Sequence, residues 1–197
     1  MQAAMRALTK AGYTVRTFDY PGFGRSAGTP THEAIGEAAR EHFRRTMAGT
    51  SPTIPVILYG RSIGTQVAAE NDGRIAGLIL DGGSPSFKSL ALLFAPMEVH
   101  PFIEQFMHDP YNAKEALRRL NHTKVLFIHS KDDHIPYSDA RSMYDNFEGQ
   151  QIVLDIRRRA HRRRDTPSRR VCLARGLSCA RHDTLTTPDT GKIFLKP

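Results

Sequence analysis

The chain has 197 residues and a formal net charge of +8, a length suited to one domain with a core of its own. The charge is uneven: residues 156–197 hold ten Arg and two Lys against three Asp, which leaves the rest of the chain at about −1. The body is therefore not a basic nucleic-acid binder, no apolar run of about 18 residues offers a membrane helix, and two cysteines, Cys172 and Cys179, make no disulfide framework.

Residues 1–12 lack the basic start and apolar stretch of a signal peptide and read as an amphipathic helix closed by Gly12. A cytoplasmic location is the default expectation. Tyr13–Asp19 alternates as a strand, and the turn-rich loop Tyr20–Gly28 follows. Thr31 can N-cap a helix running to about Met47, with Glu33 and Glu37 in its early turns. Ile54–Tyr59 is a short apolar, β-branched run after Pro52, which suits a buried parallel strand. Arg74–Leu80 gives a third strand, ending at Asp81-Gly82-Gly83. Residues 84–121 read as helices broken by Pro85, Pro96, Pro101 and Pro110. Lys124–His129 is a fourth strand, Ser138–Phe147 a helix and Gln151–Ile156 a fifth strand. Strands alternating with helices predict an α/β fold with a mostly parallel sheet and helices on both faces. About 84–121 would form a small helical cap. Its aromatic and methionine side chains, Phe87, Phe94, Met97, Phe102 and Phe106 among them, mostly pack the cap helices together, and some could line an acyl pocket.

Between the second strand and its helix stands Gly60-Arg61-Ser62-Ile63-Gly64. A bare Gly-x-Ser-x-Gly fits many ordinary loops. Placed at a strand-to-helix turn, it forms a nucleophile elbow: the tight turn strains the serine backbone and lifts the Ser62 hydroxyl above the sheet. Small residues are needed at 60 and 64 because neighbouring backbone passes close by. The Ile63 N–H, at the helix start, can then donate to a developing oxyanion.

Three pieces in order, Phe18-Asp19-Tyr20-Pro21-Gly22-Phe23-Gly24-Arg25-Ser26, then the elbow, then His129-Ser130-Lys131-Asp132-Asp133-His134-Ile135-Pro136, resemble α/β-hydrolases. They are similar to the bacterial monoacylglycerol-lipase-like and serine-aminopeptidase-like members, over about residues 1–156. The resemblance implies a Ser–acid–His triad acting on a small ester, thioester or amide substrate, with no metal or organic cofactor. Ser62 matches the nucleophile. The acid falls in the loop before Pro136. Counting from the strand end selects Asp133, counting back from Ile135-Pro136 selects Asp132, and a plain solvated turn is the third reading. Asp81 is a weaker acid candidate. Tyr20 and Phe23 would face Ser62 and touch substrate. The histidine follows the last strand, and His161 lies there, 28 residues after Asp133. Its flanking arginines would lower an imidazole pKa.

Past Ile156 the pattern stops. One permitted back-translation of Arg157–Asp165, read one base later, gives Ala-Gly-Ala-His-Thr-Ala-Asp-Ala, a small-residue histidine turn of the family type. Residues 157–197 are therefore expected to be disordered or out of frame. The rival is a basic arm for RNA or a membrane surface, but no aromatics interleave with the arginines for base stacking. Nor do Cys172, Cys179 and His182 have zinc-finger spacing. The resemblance also implies strands and a His-Gly loop ahead of the first helix, whose N–H would complete the oxyanion hole. Without the final helix that usually covers one sheet edge, exposed apolar surface and poor stability are expected. A hydrolase fold without turnover is the alternative function.

Overall fold

The computed structural model describes residues 2–70, 74–109, 111–120 and 122–156, and the backbone of three short strands beyond. Most of the expected disordered or out-of-frame tail, and His161 with it, lies outside the described residues. The helices are α1 (Gln2–Lys10), α2 (His32–Ala48), α3 (Ile63–Ala69), α4 (Phe87–Phe94), α5 (His100–Phe106), α6 (Ala113–Arg119) and α7 (Tyr137–Tyr144). The strands are β1 (Thr14–Thr17), β2 (Val56–Arg61), β3 (Gly77–Asp81), β4 (Val125–Ser130), β5 (Gln151–Ile156), β6 (Arg170–Val171), β7 (Ala180–Arg181) and β8 (Lys192–Leu195).

The main sheet runs β1-β8-β2-β3-β4-β5. β2 through β5 are parallel in sequence order, joined by α3, by the segment ending in α6, and by α7. Parallel strands need such crossovers, so every carboxyl end of these four strands lies along one edge of the sheet. β8 pairs antiparallel with both β1 and β2. β6 and β7 make a separate two-stranded ladder.

One face of the strands holds the main core. Val56, Leu58, Leu78, Leu80, Val125 and Phe127 alternate inward and meet Phe43 of α2, Ala68 and Ala69 of α3, Leu117 of α6 and Met143 of α7. α2 presents Ile35, Ala39, Phe43 and Thr46, spaced to share one helical stripe. Its start is capped as expected, since Thr31 Oγ1 accepts from the Ala34 N–H at 3.1 Å. β1 is shorter than its sequence pattern. Asp19 turns out of the sheet to close the next loop, its carboxylate accepting from the Arg25 N–H at 3.3 Å and its carbonyl from Ser26 Oγ at 2.8 Å.

The span 84–121 divides. Ser86 caps α4 by accepting from the Ser89 N–H at 3.1 Å. Pro96 ends that helix's extension, and a 3-10 turn at Met97–Val99 leads into α5. α6, by contrast, buries Ala113, Ala116 and Leu117 in the main core. Of the cap side chains expected to pack together, Phe87 is buried, but Phe94 is 67%, Met97 80%, Phe102 65% and Phe106 57% exposed. Two helices this short present more apolar surface than they can bury against each other.

The opposite face of the sheet carries Ile57, Ile79, Leu126, Ile128, Ile152 and Leu154, none of them fully buried. At the edge strand β5, apolar side chains are exposed: Ile152 is 56% and Val153 40% exposed. Replacing Ile152 and Val153 by Lys and Thr should cut binding of a hydrophobic dye and raise soluble recovery. Tm should move little, since exposed substitutions cost within about 0.5 kcal/mol. A large fall in Tm would show that these side chains are covered in solution.

Candidate active site

The site grows from a steric conflict at the end of β2. A Cβ on Gly60 would collide with the Gly64 carbonyl oxygen and would fall 2.8 Å from the Thr65 Cα. Glycine at 60 therefore lets α3 start directly against β2. The chain reverses within a few residues, and Ser62 takes φ 50° and ψ −123°. Among the described residues it is the one non-glycine with positive φ. Such a backbone costs of order 1–3 kcal/mol and persists where the surroundings over-determine it.

Those surroundings are identifiable. The Ser62 N–H donates to the Asp81 carbonyl at 2.9 Å. Its own carbonyl accepts from the Thr65 N–H at 2.9 Å and from Thr65 Oγ1 at 2.7 Å. Both sides of the strained residue are thus fixed, and its side chain stays partly exposed. Ile63 opens α3, so its N–H belongs to the first turn, where no intrahelical carbonyl is available. Thr65 also packs beneath the next loop, where a Cβ on Gly83 would lie 2.7 Å from Thr65 Oγ1.

Asp81 is the last residue of β3 and is buried. Its carboxylate accepts from the Tyr59 hydroxyl at 2.7 Å and lies 3.9 Å from Arg61 Nε. Tyr59 and Arg61 flank Gly60, so Asp81 grips the elbow through its side chain as well as its carbonyl. Gln66, fully buried on α3, donates to the Ser84 carbonyl at 3.4 Å.

The second candidate loop follows β4. The Asp133 N–H donates to the Ser130 carbonyl at 3.1 Å, and the Asp132 N–H to Ser130 Oγ at 3.2 Å. Asp133 is partly buried and its Oδ1 accepts from the His134 N–H at 2.8 Å, while Asp132 is exposed. The Lys131 ammonium sits 5.3 Å from the Tyr137 ring centroid. Tyr137 donates to the Asp155 carboxylate at 2.7 Å, which holds its phenol well above the usual range. Burial raises the Asp139 carboxyl, with a smaller opposing effect from His129.

Ser62 and Asp133 therefore follow β2 and β4, on the same edge of the sheet with β3 between them. Two strand spacings put those strand ends about 10 Å apart. Asp81 is one strand nearer but is engaged by Tyr59 and Arg61. Tyr20 is 2% exposed and packs in a small cluster with Ile35, Ala39 and Val67, against which Ile63 rests. Phe23, in the same loop, is 39% exposed. Among the described residues no group of three or more acidic, histidine or cysteine side chains could hold a metal ion, and no helix is long and apolar enough to cross a membrane. The sequence pattern gave no sign of the Thr65 and Asp81 contacts. The nearest signal was that each sits at a turn against a glycine.

A model of the alpha/beta hydrolase family matches residues 2–190. The chain belongs to that family. This alpha/beta hydrolase is 26% identical over 145 residues to the uncharacterised protein YfhR of Escherichia coli, covering 70% of this chain and 49% of that protein. It is 27% identical over 163 residues to the lysophosphatidylserine lipase ABHD12 of Danio rerio, covering 71% and 41% respectively. The chain thus spans about half the length, or less, of these relatives. A solved alpha/beta hydrolase from Vibrio vulnificus shares the fold, with a TM-score of 0.56 at 19% identity over 68% of this chain and 54% of that one.

If Ser62 is held in strain, removing its Cβ should relieve it. Ser62→Gly should raise stability by about 1 kcal/mol, and Gly60→Ala should lower it by about 1–3 kcal/mol. Thermal unfolding of the two variants beside the parent checks both signs. A stabilised Gly60→Ala protein would contradict the close approach.

Proposed function

We propose that the chain carries the nucleophile and acid of a serine hydrolase for small carboxylic esters, or related thioesters and amides. The observation that carries this reading is the strained, fully pinned backbone of Ser62 at the carboxyl edge of a parallel sheet. Strain of this kind is retained where it serves a site. Ester chemistry is supported by family membership and by the name of the zebrafish relative.

In this reading Ser62 Oγ attacks the carbonyl carbon as a histidine takes its proton. The carbonyl oxygen becomes an oxyanion that the Ile63 N–H stabilises. The ester C–O bond then breaks, the histidine returns the proton to the departing alcohol, and an acyl-serine remains. Water attacks that acyl group by the reverse proton path and frees the acid. Asp133 orients the histidine and stabilises its imidazolium. Its partial burial and fixed turn favour it over exposed Asp132. His161 is the candidate base, or the histidine that the shifted reading frame would supply at the same place. Phe23 and the apolar cap would meet an apolar acyl group, with Tyr20 supporting the loop from beneath.

A fluorophosphonate probe tests this directly. The folded chain should label at Ser62, and Ser62→Ala should abolish labelling. Asp133→Asn should slow it at least tenfold, and Asp132→Asn by less. Labelling that survives Ser62→Ala would overturn the assignment. A folded chain that never labels would favour the alternative, a hydrolase fold without turnover.

A further inference from the structure

The third inward position of β4 holds a residue that an apolar core does not call for. Val125, Phe127 and His129 alternate onto the same face and all are buried, His129 to 1% exposure. An aliphatic side chain there would pack without desolvating any polar atom. The imidazole instead brings two nitrogens out of water.

One of them is used. His129 Nε2 lies 3.1 Å from the Ile135 carbonyl oxygen. A carbonyl only accepts, so Nε2 carries the hydrogen in this contact. Nδ1 is buried and has no partner among the described groups. An orphaned nitrogen is a standing cost, so what His129 contributes lies in its Nε2 bond.

That bond closes a loop. Ile135 is buried and stands just ahead of Pro136, the residue that caps α7. Its carbonyl lies outside the helix, and a buried backbone acceptor needs a donor. At the other end, Ser130 takes both the Asp132 and the Asp133 N–H groups. Two consecutive residues of β4, His129 and Ser130, therefore hold both ends of the segment that presents Asp132 and Asp133. The Tyr137 ring, 5.9 Å from the imidazole and beneath Lys131, lines its flank.

We propose that His129 is a positioning residue: its Nε2–H latches the 130–135 loop through the Ile135 carbonyl and so fixes where the Asp133 carboxylate stands. The latch itself rests on geometry. Its catalytic consequence rests on the Ser62 and Asp133 roles proposed above. A carboxylate displaced by about 1 Å can lower turnover on the order of a hundredfold.

Three variants separate donor from volume. His129→Leu fills the site without a donor, His129→Gln offers an N–H at similar reach, and His129→Asn offers one too short to reach Ile135. Amide hydrogen exchange of the full chain reads the latch without turnover. The peptide covering 130–136 should exchange at least tenfold faster in the Leu and Asn variants and within threefold of the parent in the Gln variant. Exchange over 56–69 should stay unchanged. Equal protection in all four proteins would overturn the latch, as would equal loss in the Gln and Leu variants. Should the Leu protein not fold, the Gln–Asn contrast decides, and no difference between those two overturns the proposal. Hydrolysis of a p-nitrophenyl ester reads the consequence. His129→Leu should lower kcat at least tenfold with KM within twofold, and His129→Gln should restore it to within threefold. A parent chain that does not label with fluorophosphonate would overturn the Ser62 reading, and with it that catalytic consequence, while the exchange result still judges the latch.

Discussion

Everything at the candidate site follows from how closely α3 approaches β2. Without a side chain at Gly60, the helix begins within one residue of the strand's end, and the connecting backbone has nowhere to go but through a positive φ at Ser62. That conformation could relax if its ends were loose. They are not: β3 holds the Ser62 N–H through the Asp81 carbonyl, and Thr65 holds the Ser62 carbonyl twice. A strained residue supported on both sides is a rigid one. A fixed backbone sets the point above the sheet edge from which the side chain departs, which is what the proposed attack on a bound carbonyl needs.

The same edge concentrates the buried polar groups of the described chain. Gln66, Asp81, Ser84, Ser86, His129 and Ser130 are all buried at or just beyond the carboxyl ends of β2, β3 and β4. Earlier along the same strands the buried residues are Leu58, Leu78, Leu80, Val125 and Phe127. Apolar packing there supplies stability, and a hydrogen-bonded rim fixes geometry. In a low-dielectric setting, satisfied polar contacts rigidify what they join. The rim ties neighbouring segments together: Asp81 joins β3 to Tyr59 and Arg61 of β2, Gln66 joins α3 to the loop after β3, and Ser130 joins β4 to the acid loop that follows it.

The parallel strands were legible because each is a short β-branched run bounded by turn formers. β5 matches its expected range, and β2 begins after Pro55 because proline lacks the N–H a ladder needs. The elbow was legible because its glycines are the cause of its geometry. Other features were not, and for physical reasons. β8 lies between β1 and β2 through pairing with residues more than 130 positions away, which no local pattern encodes. α6 reads like the cap helices in sequence, yet its small residues Ala113 and Ala116 let it sit in the core against α3. The cap aromatics carry a strong apolar signal, but apolarity alone does not say whether a partner surface is near enough to bury them. His129 precedes the acid in the chain, so the family's Ser–acid–His order gives it no role. Its role as a donor to Ile135 depends on the loop folding back over it.

The histidine question can be narrowed by what five of the seven described histidines already do. His32 stacks on Phe87 and His42 on Phe18, each far along the chain from the β4 loop. His42 is further disfavoured as a proton acceptor by burial, which lowers its pKa. His100 bonds the Ala95 carbonyl inside the cap, and His129 bonds Ile135. His134 belongs to the same short turn as Asp133, its N–H bound to that carboxylate, which draws the backbone and not the ring toward the acid. A base serving Ser62 must span the width of β3 and meet a carboxylate on the far side, about 10 Å away. β5 is next to β4, and its carboxyl end at Ile156 opens on the same edge. The proposed chemistry draws its nucleophile and acid from the residues that follow β2 and β4, and its candidate base, His161, lies outside the described residues. Substitution at 161 is consequently a sharper test of that base than any change within the sheet.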